Sequence, residues 1–191
     1  MKLIYKLLLL PLVALALSCN ASDKQEMSAD TAKSLIRHFL GSQVKVADNQ
    51  PFFQIGDFNG DGYKDMAVLF QPEGKPRVSK QVSVTTPWVY PGVPPMKLYG
   101  KSLAIFNGSN SPWLSDGTRV YVLLDTAGAL ETPSFELLVS KKIDDDYKHH
   151  VSMLPAQSVH DLIIIPTEAG IDTYIYWDKA GYVLYESQEM P

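Results

Sequence analysis

The chain has 191 residues, 46% of them hydrophobic, and a formal charge of −4. That length suffices for one ordinary hydrophobic core, and the acidic balance argues against nucleic acid as a partner. Cys19 is the only cysteine, so no internal disulfide can add to stability.

The N-terminus begins with two positive charges, Lys2 and Lys6, and then runs almost purely apolar from Leu7 to Leu17 before Ser18-Cys19. This is the layout of a secretory signal peptide: the apolar run is well short of the roughly 20 residues a membrane-spanning helix needs. Ser18 is the small residue at which a signal peptidase would cut. Leu15-Ala16-Leu17-Ser18-Cys19 resembles the bacterial lipoprotein signal, with Ala16 where that signal prefers Leu. The resemblance implies a lipid on Cys19, which would account for an unpaired thiol in an exported chain. The other reading is an ordinary signal peptide followed by a free thiol. Asn20 comes next, where Asp would resemble the inner-membrane retention signal, so the implied address is the outer membrane, facing the periplasm or the surface. Removing residues 1–18 takes away Lys2 and Lys6 and no acid, leaving 15 basic against 21 acidic groups, a formal charge of −6.

Residues 19–27 are small and polar and read as a tether. A helix is predicted next. Ser28 or Asp30 can cap its start, Ala32, Leu35, Ile36, Phe39 and Leu40 form one apolar face, and Gly41 can end it, with Arg37 and His38 facing water. From Val44 onward the pattern changes to short β-rich runs. Strands are predicted at Phe52–Ile55, Met66–Phe70, Val78–Val84, Leu103–Phe106, Arg119–Leu124, Phe135–Ile143, Leu162–Ile165, Tyr174–Trp177 and Tyr182–Tyr185. Short links imply antiparallel pairing, and Asp178-Lys179-Ala180-Gly181 predicts a four-residue hairpin loop. The expected fold is α+β, one domain over 28–191, with one N-terminal helix and a mainly antiparallel sheet.

Residues 71–102 stand apart. They hold six prolines (Pro72, Pro76, Pro87, Pro91, Pro94, Pro95) and the aromatics Trp88, Tyr90 and Tyr99. Because proline cannot donate to a sheet ladder, most of the stretch is predicted to be loop. It either packs its aromatics back over a sheet edge or offers Trp88 and Tyr90 to a partner in the envelope.

The segment Asp57-Phe58-Asn59-Gly60-Asp61-Gly62-Tyr63-Lys64-Asp65 places oxygen-bearing side chains at positions 1, 3, 5 and 9. Calcium is a hard cation that takes six to eight oxygens at roughly 2.3–2.6 Å, and a loop surrounds it only if alternate side chains turn inward while the backbone bends. Gly62 at position 6 permits the bend, and the Tyr63 carbonyl at position 7 is a backbone donor. An EF-hand would need Glu at position 12, where Val68 stands, and the flanks read as strands. With Gly56 before and Met66-Ala67-Val68 after, the segment resembles the calcium loop of the FG-GAP repeats of integrin α-subunits and many bacterial surface proteins. The resemblance covers about residues 53–70. It implies a loop between adjacent strands, with Asp57, Asn59, Asp61 and Asp65 as side-chain ligands and Tyr63 as a carbonyl ligand. No second copy occurs in the chain. A propeller is therefore not expected, since such repeats stabilise one another only in numbers. The alternative for the same residues is a metal-free Asn-Gly and Asp-Gly turn.

Other motifs are weaker. His149 and His150 after Asp144-Asp145-Asp146, and His160-Asp161 further on, lack a metal-ligand spacing and read as solvated loops. Gly100-Lys101-Ser102-Leu103-Ala104 lacks the final glycine of a nucleophile elbow. Gly60-Asp61-Gly62 lacks the third glycine of a dinucleotide loop, and Glu168 and Asp172 form no recognisable catalytic pair. The expected role is structural or partner-binding rather than catalytic, in an exported, lipid-anchored, calcium-binding protein. Two rival roles stay open: a periplasmic hydrolase with a structural calcium, and an envelope assembly factor or inhibitor using the Pro/Trp-rich stretch.

Overall fold

The computed structural model describes residues 27–47, 51–87, 100–125, 130, 136–138, 160–165 and 173–186. Among them are one helix, α1 (Ala29–Leu40), and ten strands. These are β1 (Val44–Val46), β2 (Phe53–Gly56), β3 (Asp65–Pro72), β4 (Val82–Thr85), β5 (Ser102–Asn107), β6 (Arg119–Leu123), β7 (Glu136–Leu138), β8 (Leu162–Ile165), β9 (Thr173–Trp177) and β10 (Tyr182–Glu186). The class is α+β with mainly antiparallel strands, as the residue pattern predicts.

The helix starts where Ser28 accepts the Thr31 N–H on its hydroxyl, at 3.3 Å, which satisfies one of the donors that a helix start leaves unpaired. It ends at Gly41, whose N–H reaches the Arg37 carbonyl. Thr31, Ala32, Leu35, Ile36, Phe39 and Leu40 are buried, whereas Arg37 and His38 are exposed. Each fully buried Leu, Ile or Phe side chain contributes about 1.5–3 kcal/mol relative to leaving it in water, so this face holds the helix to the sheet.

The strands divide into two sheets. The first has the order β1-β3-β5-β6-β4, with β2 also on β3. β1 and β2 share one edge of β3 end to end: β1 pairs along Phe70–Pro72 and β2 along Asp65–Val68. The second sheet has the order β10-β9-β8-β7. The Asp178–Gly181 loop joins β9 to β10 as predicted, with Trp177 opposite Tyr182. β4 departs from the expected antiparallel pattern, since it runs parallel to β6. It also gives residues 71–102 a strand, although a shorter one than the predicted Val78–Val84.

Side chains alternate across each strand, and both faces of the first sheet are covered. On one face Met66, Val68, Phe70, Ala104, Phe106, Val120 and Val122 meet the buried side of α1. On the other, Ala67, Leu69, Leu103, Ile105 and Leu123 meet Ile163, Ile165, Ile175 and Tyr182 of the second sheet. This explains why β5 is buried at every position: a strand covered on both sides reads as a continuous apolar run. By the same alternation Asp65 and Asn107 lie on the face turned toward the second sheet. Among the described residues, no helix is long and apolar enough to cross a membrane.

Candidate metal centre at the Asp57–Asp65 hairpin

β2 and β3 form the predicted hairpin, closed by the pair Gly56 and Asp65. Residues 57–64 leave the sheet as a loop that folds onto itself through its own acidic side chains. Asp57 Oδ1 accepts the Gly60 N–H at 2.9 Å, and its Oδ2 accepts the Gly62 N–H at 3.1 Å. Asn59 Oδ1 accepts the Asp61 N–H at 3.1 Å, and Asp61 Oδ1 accepts the Tyr63 N–H at 2.8 Å. The Asn59 amide then donates to Asp61 Oδ2 at 2.9 Å. Short polar side chains bond their own backbone readily in this way. Two left-handed residues make the path possible, Gly60 at φ 74° and Gly62 at φ 86°. Only Gly62 was expected from the motif. Gly60 is further constrained because a Cβ there would fall on the His160 ring.

Phe58 and Asp65 tie this exposed loop to the interior. Phe58 is 1% exposed and sits in the core between the sheets. Asp65, with no exposed surface, accepts the Phe58 N–H at 2.8 Å and the Asn59 N–H at 3.2 Å on Oδ2, and the Gly108 N–H at 2.8 Å on Oδ1. Burial pushes the Asp65 carboxyl up to about 7 from 3.8, against the N–H donors of Gly108, Phe58 and Asn59 and helped by the neighbouring charge of Asp61. Nearby, the Tyr182 hydroxyl donates to Asn107 Oδ1 at 2.8 Å. Burial, then the Asp65 charge, hold that phenol well above its usual range, so it remains a donor.

The expected solvated loop at His160-Asp161 is corrected. Asp161 is only 6% exposed, and its Oδ2 accepts the Asp57 N–H at 2.8 Å. Its own N–H returns to the Asp57 carbonyl at 3.1 Å, and Lys64 approaches Oδ2 at 3.9 Å. No local pattern in the sequence marks this role, because the partners are 104 positions apart.

The donor chemistry of the loop suits calcium. It offers the carboxylates of Asp57 and Asp61, the amide oxygen of Asn59 and the main chain at Tyr63, all hard oxygen donors with no nitrogen or sulfur ligand. An oxygen that accepts one N–H keeps a second lone pair for an ion. Asp65 is more committed, since two donors occupy Oδ2 and only Oδ1 keeps one free lone pair. Among the described residues no group of three or more His, Cys, Asp or Glu side chains is gathered for a metal.

Ser102 is buried in β5, donates to the Gly100 carbonyl at 3.3 Å and accepts the Asp125 N–H at 3.2 Å, the position of a structural hydroxyl. Cys19, Trp88, Tyr90, His149, His150, Glu168 and Asp172 lie outside the described residues. The chain matches no protein-family model, no curated protein and no solved structure.

The burial of Asp65 predicts a pH dependence. Its folded-state value, about 7, lies above the unfolded 3.8, so between these values the folded protein binds the extra proton. Stability of the metal-free protein is therefore favoured at the lower end of this window and declines as pH rises through about 7, by up to about 1.4 kcal/mol per pH unit from this one group. Urea denaturation in chelator between about pH 5 and pH 8 should show that component in the native chain and its loss in Asp65→Asn. Identical pH profiles for the two proteins would contradict it.

Proposed function

We propose that this is an exported, lipid-anchored calcium-binding protein of the bacterial envelope, in which calcium in the Asp57–Asp65 loop has a structural or partner-binding role. The observation that carries the reading is the donor set of the loop. Asp57, Asn59 and Asp61 each accept a main-chain N–H of one short turn on a side-chain oxygen, while Asp65 and Asp161 accept the N–H groups of Asn59 and Asp57. The charge of Asp61 bears unfavourably on the buried carboxyl of Asp65, and Lys64, an exposed side chain at 3.9 Å from Asp161, offsets little of the local negative charge. A divalent cation would offset it directly. Asp57, Asn59 and Asp61 would bind it first, with the Tyr63 carbonyl and the remaining lone pair of Asp65 completing the protein ligands and water filling the rest.

Extracellular calcium modules commonly bind at roughly 10⁻⁴ to 10⁻³ M, so occupancy outside the cell needs no sensing role. The lipid anchor rests on the apolar run before Ser18-Cys19, and Trp88 and Tyr90 remain the residues proposed for an envelope partner.

A thermal melt of the full chain in detergent, first with chelator and then with about 10 mM calcium, tests the metal. At roughly ten to a hundred times the dissociation constant, mass action gives about 1.4–2.7 kcal/mol of added stability. The midpoint should rise accordingly in the native protein and hardly at all in Asp61→Ala. An equal response from both, or none from either, counts against the loop as the site. For the anchor, Cys19→Ser should move the protein from the membrane to the soluble fraction of cells, and an unchanged distribution would remove the lipid from the account.

A further inference from the structure

We propose that Asp161 is a positioning residue for the Asp57–Asp65 loop, through which the second sheet fixes the first calcium ligand and responds to its occupancy. The inference rests on the calcium reading of the loop. It starts from the reciprocal pair between Asp57 and Asp161. The Asp57 N–H is held by Asp161 Oδ2 at 2.8 Å, and the Asp57 carbonyl by the Asp161 N–H at 3.1 Å. Both main-chain polar groups of the first loop position are thus set by one residue, the one that leads into β8 of the second sheet. The approach is close: a Cβ on Gly56 would lie 2.9 Å from Asp161 Oδ2. The preceding residue, His160, packs its ring on Gly60, so two consecutive residues hold positions 1 and 4 of the loop.

Asp161 is only 6% exposed, and a carboxylate so placed needs donors for its oxygens. Its hydrogen bond to the Asp57 main chain supplies a reason for its placement that charge alone does not. Asp161 leads directly into β8, an inner strand of the second sheet that is buried throughout. A change at the first loop position on ion binding would therefore reach a buried inner strand through Asp161.

The experiment uses the full chain in detergent, with calcium binding measured by titration calorimetry and amide hydrogen exchange followed in β8 and β9. Loss of an outer-shell partner typically weakens metal binding 10- to 100-fold, and Asp161→Ala is expected in that range, whereas Asp161→Asn keeps the acceptor oxygen and should stay within about threefold of native. Calcium should slow exchange in β8 and β9 of the native protein and of Asp161→Asn, but not of Asp161→Ala. If Asp161→Ala binds and responds like the native chain, the positioning role is overturned while the calcium reading stands. If Asp161→Asn is as weak as Asp161→Ala, the effect is one of charge and the positioning role is again overturned. If the native chain takes up no calcium, the metal reading fails and this inference with it. Should Asp161→Ala not fold, Asp161→Glu replaces it: the charge is kept but the carboxyl is displaced, so weaker binding supports positioning and native-like binding overturns it.

Discussion

A carboxylate with no exposed surface must find donors for its oxygens, and Asp65 finds three, all of them backbone N–H groups. Two belong to the loop that leaves β2, and the third belongs to Gly108, just past the end of β5. One side chain thereby fixes the entry of the Asp57–Asp65 loop and ties it to the neighbouring strand. It does so on the face of β3 turned toward the second sheet, where Phe58 fills the adjoining core. An unpaired carboxylate would be costly there. The local path of the chain is thus set by the need to satisfy Asp65, and the exposed part of the loop is built outward from it.

The second sheet meets the loop at two further points. Asp161 holds the main chain of Asp57, while the Tyr182 hydroxyl reaches Asn107 at the end of β5. Tyr182 also stacks edge-on with Tyr121 and Trp177, at centroid distances of 5.2 Å and 5.0 Å, so the aromatic layer between the sheets is locked beside the same end of the fold. The polar anchors cluster where β3 begins, β5 ends, and β8 and β10 begin. Order at the loop and order between the sheets are consequently linked.

Much of this was legible in the residues alone. The helix could be read because one apolar face repeats at helical spacing between Ser28 and Gly41, and β8 was read to the residue because Leu162–Ile165 is a short apolar run. The Asp57–Asp65 motif was read as a loop between adjacent strands, and β2 and β3 do pair across it. What local pattern could not supply was pairing between distant segments. β1 is three residues long, too short to show alternation. The parallel partnership of β4 with β6 and the division into two sheets depend on tertiary packing. Asp161 looked like part of a solvated turn because its partner, Asp57, is 104 positions away. Asp65 could be recognised as a ninth-position acid, but its bond to Gly108 spans 43 positions and appears only in the fold.

Whether the loop takes calcium through its own oxygens is read out by a crystal structure of the protein grown with calcium. An anomalous peak is expected inside residues 57–65, with oxygens of Asp57, Asn59 and Asp61 and the Tyr63 carbonyl at roughly 2.3–2.6 Å, and Asp65 at the same centre through Oδ1. A loop that keeps its hydrogen bonds with no peak, at calcium concentrations well above the millimolar range, would contradict it and leave Asp57–Asp65 a turn held by its own side chains.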